Sequence, residues 1–186
     1  MVQNTDRQYE EIILNCQRIF TAKMMDYGAS WRILRTSSLT DQIAIKAKRI
    51  RNLQLNEMRM VDEGIEGEFQ GIINYSVMAI IQFRKGFADF PDLDSAESIE
   101  LYRSVLNEAF ELMSRKNHDY NEAWRDMRVS SLTDIILTKL FRIKQIEDNN
   151  GNTILSEGID ANYFDIINYA IFALILMGES ENNVRS

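Results

Sequence analysis

The chain repeats itself. Residues 23–38, KMMDYGASWRILRTSS, face residues 116–131, KNHDYNEAWRDMRVSS, at an offset of 93. The match runs on: SLTDQIAIKAKRI (38–50) faces SLTDIILTKLFRI (131–143). After a one-residue insertion, EGIEGEFQGIINYSVMAII (63–81) faces EGIDANYFDIINYAIFALI (157–175). A period this long means one supersecondary unit used twice, because each unit must bury its apolar face against a neighbour. Repeat one spans 5–84 and repeat two 95–178, and the linker 85–94 holds the only proline, Pro91. The two repeats are expected to form one compact domain over 1–186.

Each repeat reads as three helices and a loop. Helix one is expected over 5–25 and 95–118, where apolar residues such as Ile12, Cys16, Ile19, Val105, Ala109 and Leu112 recur at helical spacing. Asp94 with Glu97 reads as a helix start. Loops follow at 26–37 and 119–130. Ser38 with Asp41, and Ser131 with Asp134, read as caps opening helix two over 39–58 and 132–148. Helix three is expected from Glu63 to Phe83 and from Glu157 to Met177. Its second half is apolar nearly all round, which places it inside a bundle. No alternating strand pattern is present. The expected fold is all-α, a helical bundle of two tandem three-helix repeats with pseudo-twofold symmetry.

Composition narrows the function. The 186 residues carry a net charge of −7, which disfavours coating nucleic acid or an anionic membrane. One cysteine, Cys16, and one histidine, His118, exclude a disulfide framework, a zinc knuckle and a two-histidine relay. His118 faces Met25 in the other repeat and reads as a solvated helix end. The first eleven residues lack an apolar signal core. The apolar run 166–177 is shorter than the ~20 residues a membrane span needs. A cytoplasmic protein without a membrane partner is expected.

Positions kept in both repeats resisted divergence within one molecule, through function, shared packing or recent duplication. The polar ones are Lys23/Lys116, Asp26/Asp119, Tyr27/Tyr120, Trp31/Trp124, Lys46/Lys139, Arg49/Arg142, Glu63/Glu157 and Asn74/Asn168, together with Arg32/Arg125, Asp41/Asp134 and Tyr75/Tyr169. At ~100° per residue, Glu157, Asp160, Asp165 and Asn168 share one face of helix three within roughly 140°. Such oxygen donors suit Mg²⁺, with Glu157, Asp160 and Asp165 as ligands and Glu157 and Asp165 as catalytic carboxylates. Glu157 and Asp160 equally suit the dipole of a first helical turn. Asp165 faces Gly71, so metal chemistry would make repeat two the competent one. Lys46 with Arg49, and Lys139 with Arg142, lie three residues apart on helix two. They either hold phosphate or pair with acids of helix three or with Asp26 and Asp119 as salt bridges, and both hold if the network opens to admit a ligand. Tyr27, Trp31, Tyr120 and Trp124 either stack on a base or plug the end of the bundle.

The elements Lys116-Asn-x-Asp119-Tyr120, Lys139-x-x-Arg142, Glu157 and Asp165-x-x-Asn168-Tyr169 together resemble the nucleotide modification associated domain 1 family, a domain of unknown function. The resemblance covers each repeat and implies a role in nucleotide metabolism or modification. The chain is also loosely similar to the all-α nucleoside triphosphate pyrophosphohydrolases of MazG and dimeric dUTPase type. That likeness implies Mg²⁺ held by acids on two adjacent helices and hydrolysis between the α- and β-phosphates. The match is incomplete, since helix two has Lys and Arg where that group places Glu-x-x-Glu. Three readings stand: a Mg²⁺-dependent pyrophosphohydrolase-like enzyme, a non-catalytic nucleotide- or partner-binding bundle, and a scaffold. In the nucleotide readings the ligand contacts come from Lys23, Asp26, Tyr27, Trp31, Lys46, Arg49, Asn74 and their second-repeat counterparts. The chain is expected to be a monomer or homodimer.

Overall fold

A computed structural model of the chain describes residues 5–55, 64–154 and 157–185. Among these, six helices occur in the order α1 (Thr5–Tyr27), α2 (Thr36–Leu55), α3 (Ile65–Lys85), α4 (Ser95–Tyr120), α5 (Val129–Asp148) and α6 (Ile159–Arg185). Short 3₁₀ turns at Ser30–Ile33 and Ala123–Asp126 fill the loops after α1 and α4. There is no strand among the described residues, and the two repeats have matching elements. Glu63 and Met58, expected at helix ends, lie outside the described residues.

The helix boundaries correct the expected ones. Asp94 does cap α4, accepting the Glu97 N–H at 2.8 Å. Ser38 and Ser131, by contrast, are not caps. The helices begin two residues earlier, with the Arg35 and Arg128 carbonyls accepting the Ser38 and Ser131 N–H groups. Helix three of repeat two begins at Ile159, after Gly158, so Glu157 is off the helix. Gly86 ends α3 at φ 77°, a conformation that costs glycine nothing.

α3 and α6 pack along each other in the middle of the molecule, α2 packs on α3, α5 on α6, and α2 meets α5 across the pseudo-twofold axis. Phe69, Ile72, Ile73 and Val77 of α3, and Tyr163, Ile166, Ile167 and Ile171 of α6, are fully buried in one continuous core. Within α6, Ile159–Ser180 is 22 residues long and apolar enough in length and composition to cross a membrane, so the run exceeds the 166–177 segment read from sequence. Of its most apolar window, 72% is buried against the rest of the protein. The protein itself thus accounts for its apolarity.

Reciprocal bonds hold the repeats together. Tyr9 of α1 donates to Asn168 Oδ1 of α6 at 2.5 Å, and Tyr102 of α4 donates to Asn74 Oδ1 of α3 at 2.5 Å. Lys144 pairs with Asp41, and Arg51 with Asp134 at 3.7 Å. Gln54 donates to Thr133 at 3.0 Å, and its counterpart Glu147 accepts from Thr40 at 2.8 Å. Burial at this interface pushes the Glu147 carboxyl above its ordinary range, and the nearby Asp41 adds to the shift. A carboxyl raised in the folded state opposes folding while ionised, and acid relieves that penalty. Glu147→Gln restores the first repeat's choice. It is expected to raise Tm by about 1–2 °C at pH 7 and to lose that gain near pH 4, as read by thermal melts at both pH values. The gain is small because half-exposed charge is screened.

Candidate functional site

Each repeat builds one pocket from the same parts. α1, its 3₁₀ turn and α3 enclose about 490 Å³ in repeat one, and α4, its turn and α6 enclose about 400 Å³ in repeat two. The matched walls are Lys23/Lys116, Tyr27/Tyr120, Trp31/Trp124, Asn74/Asn168 and Tyr75/Tyr169. The geometry follows from local structure. Lys and Tyr sit one turn apart at the C-terminal end of α1 or α4, and the 3₁₀ turn folds the tryptophan back under the bundle.

The tryptophans are 6% and 7% exposed, so they both plug the bundle end and form pocket wall. Trp124 stacks on Phe172, with centroids 4.2 Å apart and planes 3° apart, and the Arg125 guanidinium lies 4.4 Å from its centroid. Trp124 donates to Asn117 at 2.9 Å. Tyr27 and Tyr120 stand largely exposed at the mouths, 56% and 71%. Burial, then Tyr75 and Asp26, raise the Tyr27 phenol above its usual value, so it stays neutral at physiological pH. Asn74 and Asn168 are fixed by the tyrosine bonds from the other repeat's first helix.

The charged residues part company. In repeat two, Asp165 is 6% exposed and holds Lys116 at 2.7 Å on one oxygen and Lys139 at 2.6 Å on the other. Partial burial works against the Lys116 ammonium, but Asp165 outweighs it and raises its pKa. In repeat one, Glu68 replaces that acid, taking Lys46 at 3.2 Å and also Arg49. Lys46, Arg49 and Lys139 are thus paired with acids of helix three in this structure. Arg142 and Glu157 line a separate open groove with Asn149 and Asn162. Asp26 and Asp119 are exposed and line neither pocket; Asp119 lies 3.3 Å from His118.

The acids expected as Mg²⁺ ligands do not assemble into a metal site. Both oxygens of Asp165 are engaged by ammonium groups, Asp160 accepts the Ala161 N–H, and Glu157 precedes the helix. Among the described residues no three of His, Cys, Asp and Glu are placed to hold a metal ion. A donor set already neutralised by two lysines does not fit a divalent cation. The helical-face count failed because it carried Glu157 on a helix that Gly158 delays. Burial pushes the Cys16 thiol up to about 12, which makes it an inert core residue.

Three sets of bracing contacts are not legible in the sequence. Glu68 faces Asn162, so comparing repeats concealed it. Tyr9 and Tyr102 match each other, but nothing in the sequence names Asn168 and Asn74 as their partners. Arg32 and Arg125 match as a pair, and only packing shows that they brace the turns below the pockets.

The fold and the paired pockets define an all-α protein of two tandem helical repeats, each carrying its own small-molecule-sized cavity. The chain belongs to the nucleotide modification associated domain 1 family, whose model matches residues 23–83 and 116–177, once per repeat. Both matches begin at the pocket lysine and run through helix three. No curated protein and no solved structure is significantly similar to the chain.

Proposed function

We propose that this protein binds a small nucleotide in its aromatic-walled pockets and does so without a resident metal ion. One observation carries the reading: a lysine, two tyrosines, a tryptophan and an asparagine recur around a cavity of about 400–490 Å³ in both repeats. That size suits a nucleotide-sized ligand. The exposed mouth tyrosines are free to lie on a base, a contact worth about 1–3 kcal/mol. The lysines supply point charges for phosphate oxygens. Family membership agrees with a place in nucleotide metabolism or modification. The binding reading stands ahead of the pyrophosphohydrolase reading because the helix-three acids neutralise lysines.

A panel of nucleoside mono- and triphosphates tests this by thermal shift, with and without EDTA. Ligand at 100 times its Kd stabilises by about 2.7 kcal/mol, or roughly 5–11 °C for a chain of this size. The expected result is a shift that survives EDTA, with no phosphate or pyrophosphate released. Absence of any shift at millimolar nucleotide, or its loss in EDTA, would overturn the reading.

A further inference from the structure

The two pockets share a plan but differ in charge. Repeat one's pocket is lined by Lys23 and Lys46, with no Asp or Glu among its described lining residues. Repeat two's pocket is lined by Lys116 and Asp165. Gly71 stands where Asp165 stands, and the bare helix lets Lys46 lie down on it. A Cβ at 71 would come within 2.7 Å of Lys46 Cε. Lys23 has no carboxylate partner among the described residues, whereas its counterpart Lys116 holds Asp165.

Other donors are also unspent in repeat one. Tyr102 takes Asn74 Oδ1 as Tyr9 takes Asn168 Oδ1, so the Nδ2 of the asparagine faces this pocket without an acceptor among the described residues, as it does in repeat two. Trp31 Nε1 is buried without a partner. Met24 lines this pocket at the place where Asn117 accepts from Trp124 in the other. A buried unpaired donor is costly, so an incoming acceptor is favoured. Lys46 can turn to a ligand without stranding Glu68, because Arg49 remains on that carboxylate.

We propose that the repeat-one pocket is an anion site for the phosphate of a phosphate monoester. In the repeat-two pocket, Asp165 occupies the corresponding place as a built-in carboxylate. The protein then binds one such ligand per chain, at Lys23, Lys46 and Asn74. This reverses the assignment made from Asp165 alone, which favoured repeat two. It rests on the nucleotide reading only for what the phosphate is attached to.

Calorimetric titration of the full chain in EDTA and low salt tests it. The probes are a deoxynucleoside monophosphate, the matching nucleoside and inorganic phosphate. The expected result is one monophosphate site per chain, weakened by added salt. Lys23→Ala, at an exposed position, is expected to weaken it about tenfold or more, the size of a lost charged hydrogen bond. Gly71→Asp, with helicity checked by circular dichroism, is expected to do the same, and Asp165→Asn to raise the stoichiometry from one to two. Two equal sites in the unaltered protein, or indifference to Lys23→Ala, would overturn the proposal. Nucleoside binding as tight as monophosphate would overturn the anion site and leave the nucleotide reading standing. Inorganic phosphate binding that needs Lys23, with no gain from the nucleoside, would do the reverse.

Discussion

Residues 1–90, produced without the second repeat, are expected to give no folded monomer. Repeat one buries Ile72, Ile73, Val77 and Ile80 of α3 completely, and α3 packs along α6, which is then missing. Each large aliphatic side chain returned to water forfeits about 1.5–3 kcal/mol. A whole domain is stable by only about 5–15 kcal/mol. The polar bonds point the same way. Asn74 would lose the Tyr102 hydroxyl, Thr40 would lose Glu147 and Tyr163, and Asp41 would lose Lys144. Size-exclusion chromatography with light scattering, read beside circular dichroism, checks this. An unfolded chain fits. So does a helical homodimer, in which a second copy replaces the absent repeat across the pseudo-twofold axis. A compact helical monomer would contradict the shared core.

The repeat made much of this legible. Six helices follow from motifs recurring at an offset of 93 residues, and the lysines, tyrosines, tryptophans and asparagines that line the two pockets are all among the matched positions. Matching shows that a residue is kept, but not what it touches. Lys116, Lys139 and Asp165 come from three different helices, and their ion-pair cluster exists only after packing. From the sequence Asp165 could be complemented by a metal or by the helix-two cations, and spacing alone does not choose between them. The starts of α2 and α5 differ from the expected ones for a local reason. Ser38-x-x-Asp41 has the pattern of a cap, yet the Arg35 carbonyl starts the turn three residues earlier. The differences between repeats are as telling as the identities: Gly71 for Asp165 and Met24 for Asn117 set the charge and the free indole donor of the two pockets, and Glu68 for Asn162 gives Lys46 and Arg49 their carboxylate.

Arg32→Ala is expected to cost about 3 kcal/mol and to lower Tm by roughly 6–12 °C, although Arg32 touches neither pocket. Its side chain is 2% exposed and makes bonds in three directions. Nε and Nη2 grip Asp92 of the linker at 2.7 and 3.2 Å, and Nη1 donates to Gly86 O at 2.7 Å and to Gln82 Oε1. Gln82 in turn donates to the Arg32 and Leu34 carbonyls at 2.9 and 2.5 Å. One guanidinium thus ties the 3₁₀ turn under Trp31 to the end of α3 and to the linker between repeats. Arg125 braces the matching turn through other partners, Glu122, Glu179, Gln8 and Thr5. Arg32→Lys keeps the charge but loses the fork, so it is expected to recover little. The Arg32 hydrogen bond holds the Asp92 carboxyl below the usual carboxylate range. That linkage stabilises the fold above the unfolded carboxyl's pKa and fades as pH falls through the lower folded value. The gap between Arg32→Ala and the unaltered protein is therefore expected to narrow in acid. Urea melts at pH 7 and pH 3 read both effects. A variant within about 1 kcal/mol of the unaltered protein at pH 7 would show that the turn is held by packing of Trp31 instead.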